Sequence, residues 1–459
     1  MSATMTATLP RLLLGIDPES ALSLEDHLAV HGPMPVLDAG TRRRFGRHGN
    51  PGGVLVQEIE RAGLRGRGGA SFPTASKMRA VMAAAGKPIV VVNATEGEPA
   101  SVKDRLLLQS LPHLVLDGAV LAAKAIGAEE AIVCVCETNA DLHSVQRAIG
   151  ERRSLHEGVQ LQFSVVPNGY ISGQESALVH HLNGGPALPT FAPPMPFQRG
   201  VQGRPTLVSN AETLAHMAMI ARQGAEWYRQ LGTPNQPGSA LVTLSGPIAH
   251  PGVYEIEHGA SLSSLIDAAG GYSATVRAVL IGGYAGTWID AHALHSVALS
   301  DEHLAPFGAS VGAGVIALLS AEACPVAETA RLMRWLADQS AGQCGPCVNG
   351  LHAIASTFAQ VATGSAGAGA AQNLARLISL TRGRGACRHP DGAVRLVQSA
   401  AQVFGEELAD HAAHGSCAAC GRQAEMPLPA WSNDAREDRT RRTRGLARSS
   451  SKLRVEARA

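Results

Sequence analysis

No long hydrophobic run interrupts this chain. Stretches such as residues 119–123 and 315–319 fall far short of the roughly 20 apolar residues that cross a bilayer as a helix. The first residues, MSATMTATLPRLLLG, lack a basic region followed by a sustained apolar stretch and a small-residue cleavage site, so no secretory signal is expected. An excess of one charge is also missing: 39 Lys and Arg stand against 38 Asp and Glu, which leaves no global field to attract nucleic acid or a membrane surface. Aromatic residues are scarce at 4%, so the cores must be built from Ala, Val, Leu and Ile. Eight cysteines in 459 residues are too few for a disulfide scaffold. These absences together point to a cytoplasmic protein with no nucleic-acid partner and no direct membrane insertion, although it could lie at the edge of a membrane complex.

What is present suggests about three domains by length. Residues 1–55, rich in Pro, Gly and Arg, read as an extended lead-in with one short helix near 23–31. A helix (VLVQEIERAG), a glycine-rich loop at 63–73 (GLRGRGGASFP) and a second helix follow. Three strand-like segments then alternate with helical ones: PIVVVNA at 88–94, AIVCVCET at 131–138 and VQLQFSVVP at 159–167. This β–α–β–α–β order predicts an α/β domain with parallel strands and helical crossovers, spanning 56–236. The GTPNQPG stretch at 232–238 reads as a linker. Short strands around one helix at 261–269 predict a small α+β module over 240–320. Apolar positions at three- and four-residue spacing make 325–412 helical, and the Arg-rich remainder, 413–459, reads as a disordered basic tail.

Four segments carry candidate chemistry. In the glycine loop, Gly66, Gly68 and Gly69 flank Arg67 ahead of a helix. Such a loop lets backbone N–H groups approach an anion and adds the helix dipole, though it also suits a plain tight turn. The strand ending at Asn93 runs into Glu96 and Glu98, just where open α/β sheets bind ligands. GYISGQESAL places Tyr170, Gly173 and Glu175 in a turn before a helix, and GRPTLVSNAETL puts Ser209 and Asn210 at a helix start, where they would also serve as caps. Cys344 and Cys347 form a CxxC and Cys387 stands in a Gly/Arg-rich turn; in a reducing compartment this spacing favours metal over disulfide. His411, His414, Cys417 and Cys420 make an H-x-x-H-x-x-C-x-x-C run that could bind Zn²⁺. Cys134 and Cys136 on a strand, and Cys324, read as packed thiols.

The four segments, in this order and spacing, resemble the NADH-binding flavoprotein subunit of respiratory complex I and related diaphorase subunits. The resemblance extends from about residue 24 to 413 and includes GPIAHPGVYEI, which is similar to that family's soluble-ligand-binding β-grasp module. It implies a Rossmann-like FMN-binding domain, a β-grasp module and a C-terminal helical bundle with an iron–sulfur site. It implies FMN contacts at Gly66, Arg67, Gly68, Lys77, Asn93, Glu96, Gly173, Glu175, Ser209 and Asn210. Phe72, Glu98, Tyr170 and Glu175 match positions that contact the nicotinamide nucleotide, with Glu98 and Glu175 closest to the catalytic step. Cys344, Cys347 and Cys387 match cluster ligands. The implied activity passes electrons from NAD(P)H through FMN to a [4Fe–4S] cluster, and then to an iron–sulfur or ferredoxin-like partner protein.

The sequence departs from the family pattern at several of these points. Thr95 replaces an Asp, Gln174 one of a Glu pair, and Ser209 one of an Asn pair, while Met78 and Ala80 stand where aromatics are expected. Ala341 occupies the first cysteine position of the cluster motif, which reads Ser340-Ala341-Gly342-Gln343-Cys344-Gly345-Pro346-Cys347. A [4Fe–4S] cluster normally takes four thiolates. Electron transfer without a nicotinamide substrate, and a structural subunit with degenerate sites, are therefore the alternatives. Rescue of the cluster by Cys417 or Cys420 is not expected, because a continuous helix over 393–412 would hold them about 30 Å away.

Overall fold

The computed structural model describes residues 9–16, 20–35, 51–137, 141–155, 158–367 and 369–429. The 36–50 part of the lead-in and the basic stretch 430–459 lie outside the described residues.

The chain opens with α1 (Leu24–His31), capped by the Ser23 hydroxyl, then α2 (Pro51–Ala62) and α3 (Thr74–Ala83). β1 (Ile89–Ala94) follows, its β-branched run buried on both faces, as a central parallel strand requires. The crossover helices are α4 (Lys103–Ser110) and α5 (Pro112–Ile126). Next come β2 (Glu130–Cys136), α6 (Asp141–Glu151), β3 (Gln160–Val166) and α7 (Glu175–Leu182). β4 (Thr206–Asn210) runs directly into α8 (Ala211–Gln223), with α9 (Ala225–Tyr228) behind it. The four strands are parallel in the order β3-β2-β1-β4.

Sequence reading missed β4, because its polar end, Ser209–Asn210, looks like a helix cap. Asn210 is both: it ends the strand and its side chain accepts from the Glu212 N–H of α8. The consequence is a topological switch point. The chain leaves β1 towards β2 and returns to the other side as β4, so the C-terminal ends of β1 and β4 form a crevice where such sheets bind ligands. Asn93 and Asn210 face each other across that pairing.

The GTPNQPG stretch is a fixed turn rather than a loose linker. Gly238 has a left-handed φ of 85°, and a Cβ there would come within 2.1 Å of the Tyr228 ring. Arg67 spans the junction, donating to Tyr228 Oη and to the Ser239 carbonyl, each at 2.9 Å. Beyond it lie β5 (Ser239–Ser245), β6 (Gly252–Glu257), α10 (Leu262–Ala268), β7 (Val276–Ile281), β8 (Thr287–Asp290), α11 (Asp301–Leu304) and β9 (Val315–Ser320). They build a mixed sheet in the order β6-β5-β9-β7-β8, with β5 and β9 parallel and the other pairs antiparallel. This is the expected grasp arrangement: one sheet face covers α10, and the other joins the core of the helical region.

That region contains α12 (Pro325–Asp338), α13 (Leu351–Ala362), α14 (Ala370–Thr381), α15 (His389–Val403) and α16 (Gly405–His414). Two features differ from the sequence reading. The helix expected over 393–412 is broken at Phe404, whose ring packs edge-on against Trp288 of β8 at 5.5 Å. The first part of the stretch assigned to the tail is packed: Met426 is 2% exposed and belongs to the same core. No single helix among the described residues is long and apolar enough to cross a membrane.

Candidate functional site

A cleft of about 380 Å³ opens at the C-terminal ends of β1 and β4. One wall is Arg67–Gly69 with Asn93, Thr95, Gly173, Gln174 and Asn210. The second comes from the grasp module, chiefly residues 281–287 and 310–313, and the third is the turn Cys387–His389 with Gly392 and Arg395. Residues about 320 positions apart in the chain thus share one cavity.

Glycine is required where these walls meet. A Cβ on Gly173 would come within 2.4 Å of Thr95 Oγ1, and one on Gly283 within 2.5 Å of Glu98 Oε2. Thr95, in place of the family's Asp, locks the floor. Its hydroxyl donates to Asn93 Oδ1 at 2.8 Å, while Asn93 Nδ2 donates to the Gly173 carbonyl at 2.7 Å.

Beneath the floor lies a buried charge network. Lys103 Nζ is 2.8 Å from both Asp104 and Glu212, and Asn210 Nδ2 donates to Asp104 at 2.6 Å. Burial alone would raise Glu212, but Lys103, His216 and Arg67 outweigh it and hold this carboxyl well below its usual range. Asp104 is raised by burial, because the one ammonium is shared. Among the described residues no cation lies beside Glu98. Burial pushes its carboxyl up to about 7, against the N–H groups of Tyr284 and Ala100, with Glu96 adding to the rise.

Most of the residues singled out in the sequence meet here, in unequal roles. Arg67, Gly68, Asn93, Glu96, Glu98, Tyr170, Gly173, Asn210 and Cys387 line the cleft, and Gly66 lines a smaller adjoining pocket. The Glu96 carboxylate is engaged at the start of α4, accepting from Asp104 N, Arg105 N and Ser101 Oγ at 2.6–3.0 Å. Lys77 and Glu175 pair with each other at 3.1 Å, beside Gln174. Ser209 is half-buried on β4, and Phe72 is 55% exposed and not among the lining residues. Tyr170 reaches the helical region, its ring 5.3 Å from Trp335 and 5.4 Å from His389. Sequence reading missed Lys103, Asp104, Arg388 and Arg395, and the grasp-module wall. Arg388 stands next to Cys387 and was within reach of sequence reading; the others depend on tertiary placement.

The cysteines sit at the third wall. Cys344 and Cys347 sulfurs are 3.6 Å apart, on either side of the start of a five-residue π-helical turn, Pro346–Gly350, a form frequent at functional sites. Nearby backbone amides favour the thiolate at each sulfur: those of Ala386 and Cys347 at Cys344, that of Gly342 at Cys347, and that of His389 at Cys387. Burial raises all three thiols; at Cys344 alone the N–H groups and the Cys347 thiol outweigh it. Such amides suit cluster-bound thiolates, and Cys344 and Cys347 would have to part for each to hold its own iron. The cleft suits a flavin nucleotide by its lining: the glycine-rich main chain of Arg67–Gly69 and the amides of Asn93 and Asn210 stand on one wall, with Arg388 and Arg395 on another.

A parallel-sheet crevice with a glycine loop, a β-grasp wall and a cysteine-bearing helical wall defines an electron-transfer flavoprotein of the diaphorase class. Three family models match the chain. They are the Nuo51 FMN-binding domain at residues 59–219, the SLBB domain at 241–283 and the NADH-ubiquinone oxidoreductase-F iron-sulfur binding region at 327–411. The chain is 32% identical over 381 residues to an NADH-quinone oxidoreductase F subunit of Rhizobium meliloti, covering 79% of this chain and 90% of that one. It is 31% identical over 378 residues to the corresponding F subunit of Streptomyces coelicolor, covering 79% and 84%. A solved NAD⁺-reducing [NiFe]-hydrogenase in the air-oxidised state superposes with a TM-score of 0.72 at 34% identity, over 85% of this chain and 66% of that chain. The protein belongs to the family of NADH-quinone oxidoreductase F subunits, the flavoprotein subunits of complex I and its relatives.

Proposed function

We propose that this chain is the flavin and iron–sulfur electron-transfer subunit of a multisubunit NAD(P)H-linked oxidoreductase, cytoplasmic and peripheral to any membrane part of its complex. One observation carries the reading: Cys387 lines the same cleft as Arg67, Gly68 and Gly69, so the flavin loop and a cluster ligand share one cavity without an intervening wall.

In this reading FMN supplies the two-electron to one-electron exchange when bound. The chain's own residues do the rest. The main chain of Gly68 and Gly69 and the start of α3 would receive the phosphate, with Lys77 turning to it from Glu175. Asn93 is held by Thr95 and Gly173 with one amide hydrogen free towards the cleft, and Asn210 and Ser209 fix the edge of the crevice. Glu98 is the carboxyl that can hold or release a proton near neutral pH, and it touches the cleft next to Tyr170. Arg388 and Arg395 supply positive charge at the mouth for an anionic dinucleotide. Cys344, Cys347 and Cys387 would hold the cluster, which would supply one-electron transfer towards an iron–sulfur or ferredoxin-like partner.

A second reading, in which a protein donor replaces the nicotinamide, is favoured by the exposure of Phe72 and the closure of Lys77 on Glu175. The absorbance spectrum of anaerobically purified protein separates them. Flavin and iron–sulfur bands that bleach with NADH support the first reading. Bands that bleach only with dithionite support the second, and a protein that stays colourless after reconstitution with FMN, iron and sulfide refutes both.

A further inference from the structure

A second group of sulfurs, at the far end of the helical region, takes no part in the cleft. Cys324 caps the N-terminus of α12, His411 lies in the last turn of α16, and Cys417 and Cys420 occupy the turn beyond. The break at Phe404 separates α16 from α15 and permits this meeting. His411 Nε2 lies 3.5 Å from Cys324 Sγ and 4.0 Å from Cys420 Sγ, and the Cys417 and Cys420 sulfurs are 3.6 Å apart. All four ligand atoms fall within 4.8 Å of one another. This corrects two expectations from the sequence. Cys324 is not an isolated packed thiol, and His414, exposed and 2.8 Å from Asp410, is not part of the group.

The spacing suits one tetrahedral ion. Three sulfurs at about 2.3 Å and a nitrogen at about 2.0–2.1 Å from a tetrahedral Zn²⁺ lie about 3.5–3.8 Å from one another. A binuclear or cubane iron cluster would spread its ligands over different irons and hold them farther apart. The histidine is oriented for the role. His411 Nδ1 lies 2.8 Å from the Ala362 carbonyl oxygen, which only accepts. Nδ1 therefore carries the proton and Nε2 offers its lone pair to the sulfurs, the second-shell arrangement usual for metal-bound imidazole. The Ala327 N–H donates to Cys324 Sγ at 3.3 Å, partly offsetting the burial that raises this thiol.

We propose that Cys324, His411, Cys417 and Cys420 form a structural Zn²⁺ site, separate from the iron–sulfur cysteines. Three thiolates and one imidazole complete a tetrahedron and leave no position open for substrate. Nor can the site repair the cluster. Cys324 precedes α12 while Cys344 and Cys347 follow it, and its 14 residues span about 21 Å. The ion instead anchors the strap of residues 415–429 against the cleft wall. Beyond the site, Ser320 N donates to Glu425 at 2.9 Å and Met426 is buried. Tyr284 then bonds the Pro427 carbonyl through its hydroxyl and Glu98 through its N–H, so the strap backs the segment that presents Glu98 to the cleft.

The test is zinc and iron content by mass spectrometry on purified full-length protein, with flavin content as an independent readout. Wild type and Cys344→Ser should carry about one zinc per chain. Cys417→Ser and Cys324→Ser should lose it, by about tenfold or more, with iron and flavin retained; tenfold corresponds to about 1.4 kcal/mol. A wild type without zinc, a Cys417–Cys420 disulfide, or iron that disappears with Cys417→Ser would overturn the proposal. Should the serine variants fail to fold, Co²⁺ exchanged into wild type decides the matter. Thiolate charge-transfer bands with a tetrahedral ligand field support the site, and their absence refutes it.

Discussion

Replacing Glu98 by Gln tests whether burial controls the acid–base state of the cleft. The carboxyl is buried, accepts from Tyr284 N at 2.9 Å and Ala100 N at 3.4 Å, and faces no cation among the described residues, so burial raises its folded pKa to about 7 against an ordinary value of 4.5. Between those two values the unfolded chain has lost the proton and the folded chain keeps it. Stability therefore falls as pH rises through that window, and the full loss is present above pH 7. The whole gap amounts to about 3.4 kcal/mol, of which most falls between pH 4.5 and pH 8. Glutamine has no proton to lose, keeps an oxygen for the amides and has the same length. The stability of Glu98→Gln relative to wild type should thus rise by about 2–3 kcal/mol from pH 4.5 to pH 8. Urea unfolding of both proteins across that range measures the difference, and every other titrating group cancels. Parallel pH curves would refute the reasoning, because they would mean that the carboxyl is ionised at no cost and that water reaches it.

Three further outcomes are expected. Gly173→Ala should lower FMN affinity by about tenfold or more, as its Cβ would displace the Thr95 hydroxyl that fixes Asn93; unchanged flavin retention on gel filtration would show that this wall does not hold the ring. Ala341→Cys should raise iron per chain and slow bleaching of the cluster in air, since it restores a fourth thiolate; equal iron content and lifetime would mean that the cluster is complete without it. Gly118→Ala should destabilise by about 2 kcal/mol or more, although Ala is about 1 kcal/mol the better helix former, because its Cβ would sit 1.9 Å from the Leu214 carbonyl oxygen of α8. A thermal midpoint that rises would show that propensity outweighs this contact.

Much of the flavin domain was legible because its strands are continuous apolar runs bounded by polar residues, and Asn93, Glu96 and Glu98 follow one of them directly. β4 was hidden because a strand of five residues that flows into a helix carries the same Ser–Asn signal as a helix cap. The glycine loop was legible as a motif, but the direction of the Arg67 side chain was not: its guanidinium donates to Tyr228 and Ser239, a choice set by the grasp module. The sulfur groups show the same limit. CxxC pairs are local and visible, whereas Cys324 meets His411 across 87 residues, through a helix break that Phe404 and Trp288 create together.

The buried charges explain how a cleft made by three distant segments stays in one shape. Glu212 binds Lys103 of the flavin domain and accepts from Leu241 N of the grasp module at 2.9 Å. Arg67 crosses the same junction to Tyr228 and Ser239. Such groups add little net stability over a well-packed apolar core, but removing one partner strands a buried charge at about 3–5 kcal/mol. Sliding the grasp module along the sheet would break several of these bonds at once, so intermediate positions are strongly disfavoured. Two of the cleft's walls are therefore placed by charge pairing, independently of what binds between them. That independence accounts for the pattern of change in this chain. Thr95 and Gln174 stand at cleft-lining positions where the family resemblance implies acidic residues, while Arg67, Lys103 and Glu212 keep the cavity that those positions line.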